Sequence, residues 1–221
     1  MRNILRYIFR KTWQPLLSIY LSKERNYSYK NIRLKISPEV FHPGFFYSTR
    51  FLLHYLQRYP LEDKILLELG AGSGLISIYA AKNGSAVTAT DINPVAIQYL
   101  QKNSLANSVS LRIIESDLFN NIPVQQFDFI VINPPYYKKK PASYKDYAWY
   151  CGEHGEFFEG MFPNLKKYMH PDSIVLMVLF DGCDMNMINQ LAEQTGFMLK
   201  CVQSRQKLIE KNFIYKIESV T

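Results

Sequence analysis

The hydrophobic pattern changes character near Lys64. Beyond it, short apolar runs alternate with longer stretches that carry apolar residues at helical spacing, the pattern of buried strands joined by crossover helices. Strands are predicted at 65–69, 86–90, 111–115, 128–132, 173–180, 197–203 and 211–218, with helices between them. The helix after Asp91 is the best marked, because Asn93 can cap it and Pro94 suits its first turn. Before Lys64 the pattern is looser. Ile4, Leu5, Ile8, Phe9, Trp13, Leu16 and Leu17 predict an amphipathic helix disturbed near Pro15. A polar stretch follows, then a loosely alternating strand over 31–40, a turn at Phe41-His42-Pro43-Gly44, and a helix over 48–59. The expectation is an α/β fold with a mostly parallel sheet and helices on both faces. Residues 1–40 form a short helical and strand extension to a domain over 41–221.

Composition changes this picture little. A chain of 221 residues that is 48% hydrophobic can bury one good core. Charge changes it more, because the net +7 is concentrated at one end. Residues 1–35 carry Arg2, Arg6, Arg10, Lys11, Lys23, Arg25, Lys30, Arg33 and Lys35 against Glu24 alone, leaving 17 basic and 18 acidic side chains elsewhere. That arm reads either as a site for an anionic partner such as RNA, a ribosome or a membrane surface, or as a solvated helix face. Arg6, Arg10, Lys11 and Gln14 interrupt the first apolar stretch, so neither a signal peptide nor a transmembrane segment is expected. Cys151, Cys183 and Cys201 are scattered, which fits a reducing, cytoplasmic setting. His42, His54, His154 and His170 show no ligand spacing, and no metal is assigned.

Candidate chemistry sits at successive strand ends. The first strand carries Glu68 and runs into Gly70-Ala71-Gly72-Ser73-Gly74, where Gly70 and Gly72 let a ligand approach the backbone. This G-x-G-x-G spacing differs from the dinucleotide fingerprint, and Glu68 is better matched to a ligand ammonium than to a pyrophosphate. Asp91 ends the next strand, where its carboxylate can accept from ribose hydroxyls or serve only as a helix-entry acid. Asp117 ends the third, where it can hold an adenine amino group or simply make a turn. Such strand ends converge on one crevice in open α/β sheets.

The fourth strand stops in Asn133-Pro134-Pro135-Tyr136. Proline has no N–H, so the loop offers two acceptors, the Asn133 amide oxygen and the Pro134 carbonyl, to the two protons of an NH2 group. Holding those protons aims the nitrogen lone pair, and Tyr136 can stack on a planar acceptor. An Asn-Pro-Pro run can also merely end a strand.

Together, Glu68 to Gly74, Asp91, Asp117 and the Asn-Pro-Pro-Tyr tetrad resemble the class I S-adenosylmethionine-dependent methyltransferases of the release-factor glutamine (HemK/PrmC-like) and N6-adenine type, over roughly residues 40–218. The resemblance implies a Rossmann-like seven-stranded sheet with one antiparallel strand near the edge. It implies that Gly70, Gly72 and Gly74 line the cofactor, Asp91 binds ribose, Asp117 lies near adenine, and Asn133 with Tyr136 holds the substrate. Glu68, Ala71, Ile92, Leu118 and Asn133 join the expected cofactor site, with S-adenosylhomocysteine as the product. Asn133, Pro134 and Tyr136 are the expected catalytic residues. Pro135, Tyr136, Phe46 and Thr49 are the expected substrate contacts, the last two from the segment Phe41–Thr49 that covers the active site in related enzymes. Cys151-Gly152-Glu153-His154-Gly155 resembles the Gly-Gly-x-x-Gly stretch these families place after the tetrad, with Cys151 for the first glycine.

The implied activity is N-methylation of a planar amide or exocyclic amine, with protein glutamine placed ahead of adenine in RNA or DNA because the body is near neutral. Lys138, Lys139 and Lys140 after the tetrad suit either phosphates or a solvated turn. Two other readings remain: a nicotinamide oxidoreductase, against which Glu68 and the glycine spacing argue, and a non-catalytic cofactor-binding partner subunit.

Overall fold

The computed structural model describes residues 19–207 and 210–220, so the helix expected from Ile4 to Leu17 lies outside the described residues. From Arg25 the described residues form an antiparallel hairpin, β1 (Arg25–Tyr29) and β2 (Ile32–Ile36), followed by α1 (Tyr47–Leu56). Alternation then follows the predicted order: β3 (Ile65–Leu69), α2 (Leu75–Lys82), β4 (Ala86–Asp91), α3 (Pro94–Ala106), β5 (Arg112–Glu115) and β6 (Phe127–Ile132). After α4 (Glu156–Leu165) come β7 (Met169–Phe180), α5 (Met185–Gln194), β8 (Phe197–Gln206) and β9 (Lys211–Ser219).

The seven-stranded sheet runs β5-β4-β3-β6-β7-β9-β8, with β9 antiparallel to both of its neighbours and all other pairings parallel. Buried on both sides, its strands read as nearly continuous apolar runs, and the period of two still assigns each side chain to a face. Leu66, Phe129, Val131, Leu176 and Val178 point to the face covered by α1, α2 and the hairpin. Leu67, Ile130, Ile132, Val175 and Met177 point to the other face, under Phe158, Met161 and Phe162 of α4 and Ile188 of α5. Fully burying each such side chain stabilises the fold by about 1.5–3 kcal/mol.

Two asparagines fasten the hairpin to this body. Asn103 accepts from the Lys35 N–H at 2.8 Å and donates to the Lys35 carbonyl at 2.9 Å and the Ser73 carbonyl at 3.0 Å. Asn107 does the same to Arg33, at 3.0 and 2.7 Å. Four residues along a helix rise about 6 Å and two along a strand about 6.6 Å, so α3 presents its side-chain amides in register with β2. The exposed backbone edge of β2 is thereby satisfied by side chains rather than by another strand.

Chain order reverses beside β3: β4 and β5 extend to one side of it, and β6 returns to the other. Leu69 pairs with Ile132 and with Thr90, and Asp91 pairs with Glu115. The four strands therefore end side by side, and Gly70, Asp91, Ser116 and Asn133 face one crevice at the switch point.

Candidate active site

The glycine turn is built for close approach. Gly70, Gly72 and Gly74 have φ of 75°, 54° and 84°, conformations that side chains with a Cβ rarely adopt. Their surroundings differ. A Cβ on Gly70 would meet no atom within 4 Å, whereas one on Gly74 would lie 2.6 Å from Leu100 Cδ2. Gly70 thus borders open space, and Gly74 lets α2 begin tight against α3.

Asp91 holds this turn. Its Oδ2 accepts from the Gly72 N–H at 2.8 Å and its Oδ1 from the Asn93 N–H at 2.9 Å, joining the glycine loop to the start of α3. Each carboxylate oxygen keeps a further acceptor site. Asn93 caps α3 through Val95 at 2.9 Å and donates to the Glu39 carbonyl at 3.1 Å, which fixes the chain leading into the Phe41 segment. Glu68 is 5% exposed, and burial pushes its carboxyl up to about 8, opposed by hydrogen bonds from the Ser77 backbone and hydroxyl and reinforced by the Asp91 charge.

At the end of β6 the Asn133 side chain is engaged at both ends. Its Nδ2 donates to Thr49 Oγ1 at 3.1 Å, and its Oδ1 accepts from the Tyr136 hydroxyl. The Tyr136 ring packs edge-on against Phe180 at 5.0 Å, and the Tyr136 and Tyr137 N–H groups both donate to the Trp149 carbonyl, at 3.0 and 2.9 Å. Burial raises the Tyr136 hydroxyl above the ordinary tyrosine range, so it remains a neutral donor. Trp149 also packs on Phe41 and Phe46, at 5.2 and 4.7 Å, closing the mouth between the tetrad and the start of α1.

One cleft gathers most of the predicted positions. Glu68, Gly70, Ala71, Gly72, Asp91, Ile92, Asp117, Leu118, Asn133, Pro134, Pro135 and Thr49 all line it. Three lie outside that lining: Gly74 inside the α2–α3 contact, Phe46 against Phe41 and Trp149, and Tyr136 behind Asn133. Tyr136 is placed to orient Asn133 by its hydroxyl, where the sequence suggested a stacking surface. Sequence reasoning missed Glu39, Tyr144, Tyr147 and Phe157, which also line the cleft. Tyr144 and Tyr147 are 51% and 41% exposed on a 3-10 turn, Tyr144–Ala148, after the tetrad, and two exposed tyrosines so close to it were the available signal.

The Cys151–Gly155 turn supports the tetrad from behind. Cys151 donates its N–H to the Tyr137 carbonyl at 2.9 Å, while Gly152 and Gly155 have φ of 96° and 93°. Lys138 is taken up by Asp184, at 2.7 Å, and Lys139 lies over the Tyr150 ring at 4.8 Å. Among the described residues, no group of three His, Cys, Asp or Glu side chains is arranged to hold a metal, and no helix is long and apolar enough to cross a membrane.

The model of the methyltransferase small domain family matches residues 31–149, which include the glycine turn, Asp91, Asp117 and the whole tetrad. The chain belongs to the methyltransferase small domain family. A Methanocaldococcus jannaschii protein named, provisionally, as a protein N5-glutamine methyltransferase is 36% identical to this methyltransferase over 152 residues, covering 66% of this chain and 75% of the relative. A release factor glutamine methyltransferase of Koribacter versatilis is 34% identical over 125 residues, covering 51% of this chain and 45% of the relative. This methyltransferase spans between 15% and 48% of the length of seven further curated relatives, the Koribacter protein among them. In fold, a crystal structure of a methyltransferase from Pyrococcus furiosus is similar to it at a TM-score of 0.64 and 16% identity, covering 96% of this chain and 100% of that one.

Proposed function

We propose that this methyltransferase transfers the methyl group of S-adenosylmethionine to the side-chain amide nitrogen of a protein glutamine. The observation that carries the reading is the Asn133 amide held between Thr49 and Tyr136 at the mouth of the cleft.

The residues of the cleft fit the cofactor. Gly70 leaves its surface open to a ligand backbone, Asp91 keeps acceptor sites for ribose hydroxyls, and Asp117 with Leu118 and Ile92 suits the amino edge and faces of an adenine. Glu68, at the floor of the glycine turn, is the carboxyl nearest in kind to what a ligand ammonium needs. S-adenosylmethionine supplies a sulfonium-bound methyl that a neutral nitrogen can attack.

The chain supplies aim rather than a strong base. An amide nitrogen is a poor nucleophile because its lone pair is delocalised into the carbonyl. Asn133 Oδ1 has two lone-pair sites, one taken by Tyr136, leaving the other for an N–H of the acceptor. The Pro134 carbonyl takes the second N–H. With both protons held, the nitrogen lone pair would be aimed at the sulfonium methyl of a bound cofactor, whose chemistry would be to form the N–C bond as its S–C bond breaks. The alkylated nitrogen then loses one proton to water. The Thr49 hydroxyl accepts from Asn133 Nδ2, which leaves the amide oxygen turned toward Tyr136 and the acceptor.

The names of the relatives, four of which specify glutamine as the acceptor, support protein glutamine over adenine. The test is Asn133→Ala with calorimetry of cofactor binding alongside turnover. The expected outcome is methyl transfer at least about a hundredfold slower with cofactor affinity within a few-fold of wild type. Unchanged turnover would sink this role for Asn133.

A further inference from the structure

The structure also carries a concentrated positive patch at the first turn of α1, at the same end of the sheet as the proposed acceptor site. Three cations converge on the ring of Tyr47: Lys207 Nζ lies 4.8 Å from its centroid, Arg205 Cζ 5.9 Å and Arg50 Cζ 6.0 Å. Arg205 comes from the end of β8, Lys207 from just beyond it and Arg50 from α1, so residues more than a hundred positions apart in sequence are brought to one spot. Among the described residues, none of the three forms an ion pair with a carboxylate. Like charges gathered without a counter-charge raise each other's energy, and such a cluster is where an anionic group gains most.

Two further observations point the same way. Tyr47 Oη and Arg50 Nε are buried and have no hydrogen-bond partner among the described residues, so neither atom's charge or dipole is offset by an acceptor at the patch. His54, one turn farther along α1, is held below the ordinary histidine range by burial and by the charges of Lys30, Arg205 and Arg50, so the positive field reaches along the helix. Position ties the patch to the active site. Gln206 pairs with Lys211 where β8 turns into β9, and the next residue, Asn212, pairs with Phe180, whose ring packs on Tyr136, so Arg205 and Lys207 lie at the same end of the sheet as the tetrad.

We infer that the Tyr47, Arg50, Arg205 and Lys207 patch docks an acidic segment of the substrate protein beside its target glutamine. This rests on the protein-glutamine reading above. The alternative polyanion, RNA, fits the patch less well. One face of the Tyr47 ring is stacked on Phe51, with centroids 5.4 Å apart at 20°, and the cations crowd the rest, so the ring offers no platform for a base. The charge is also local: outside residues 1–35 the chain carries 17 basic and 18 acidic side chains, so the patch does not belong to a groove-wide positive surface that would track a phosphate backbone. One or two carboxylates bridging the Arg205, Lys207 and Arg50 side chains match the patch in size and charge.

The test uses the full chain and three fluorescein-labelled probes: a peptide of alternating Glu and Gln, the same peptide with Ser in place of Glu, and an oligouridylate of equal negative charge. Binding is followed by anisotropy for wild type, for Arg205→Gln/Lys207→Gln, and for Lys82→Gln/Lys166→Gln, which removes the same charge elsewhere. The expected result is acidic-peptide binding about tenfold tighter than the serine peptide, lost in the first double variant and kept in the second. Equal affinity for the two peptides, no loss in the first variant, equal loss in both, or preference for the oligouridylate overturns the inference. Calorimetry with S-adenosylmethionine on the same three proteins separates this from the catalytic reading, since failure of wild type to bind it contradicts the proposed activity and leaves the patch to be judged by the peptides.

Discussion

Tyr136 donates its hydroxyl to the amide oxygen of Asn133 from three residues along the same loop, while its ring is pinned against Phe180. The tetrad is therefore a self-orienting unit, in which its last residue sets the rotamer of its first. Tyr136→Phe keeps the ring and removes only the donor. Turnover is expected to fall about tenfold, with cofactor affinity and melting temperature nearly unchanged. Steady-state kinetics with a melting curve checks this, and full turnover in Tyr136→Phe would remove the hydroxyl from the account.

The glycine turn separates ligand approach from packing. Gly74→Ala drives a Cβ to 2.6 Å from Leu100 Cδ2 at a φ of 84° and is expected to cost about 2–4 kcal/mol of stability. Gly70→Ala meets nothing within 4 Å, so its φ of 75° should cost only about 1–2 kcal/mol while its methyl group intrudes on the proposed cofactor. Denaturant melts and cofactor titrations of the two variants should therefore rank them in opposite orders.

Glu68 gives a pH signature with a definite sign. Its carboxyl titrates at about 8 in the folded protein against 4.5 in the unfolded chain, so folding retains its proton. The stability this contributes is complete below pH 4.5, declines as the unfolded chain ionises, and is gone once pH passes about 8. Relative to Glu68→Gln, the ligand-free wild type should lose stability steadily across that window. Parallel melts from pH 4 to 9 read the difference, and a flat difference contradicts the buried, protonated state. Because an ammonium favours the ionised carboxylate, cofactor binding to wild type should release a proton below pH 8, measurable as a dependence of binding enthalpy on the buffer.

Asn103 joins three backbone groups across α3, β2 and the glycine turn. Asn103→Ala leaves them without partners in a buried setting and should destabilise by about 2–4 kcal/mol. Hydrogen exchange localises the effect: the Lys35 amide should lose protection well before the amides of β3. Equal loss at both positions would show that the hairpin is not separately fastened.

The sheet was legible in the sequence because its strands are buried on both faces. From Ile65 to Ile132 the apolar runs and the Gly and Pro punctuation mark nearly every boundary to within a residue or so. Two departures have local causes. β1 hides in a polar stretch, because only Arg25, Tyr27 and Tyr29 turn inward and the alternating Asn26 and Ser28 face solvent. β7 begins four residues before the predicted start, because the irregular register opposite Phe127–Phe129 accommodates His170, Pro171 and Asp172 without an apolar pattern.

At the site, residues at strand ends were readable from spacing, since strand order alone carries them to one crevice. What spacing could not give was the partner of each side chain. That Tyr136 turns back to Asn133, that Asp91 clasps the glycine loop, and that Asn103 and Asn107 act as a strand edge are consequences of tertiary packing between distant segments.

The most direct measurement is methyl transfer from labelled S-adenosylmethionine to matched pools of total cellular protein and total cellular RNA, with mass spectrometry of the labelled product. The expected result is protease-sensitive label recovered as N5-methylglutamine and absent with Asn133→Ala. Nuclease-sensitive label recovered as methyladenine, equally dependent on Asn133, would contradict the assignment of protein glutamine while leaving the two-acceptor geometry in place.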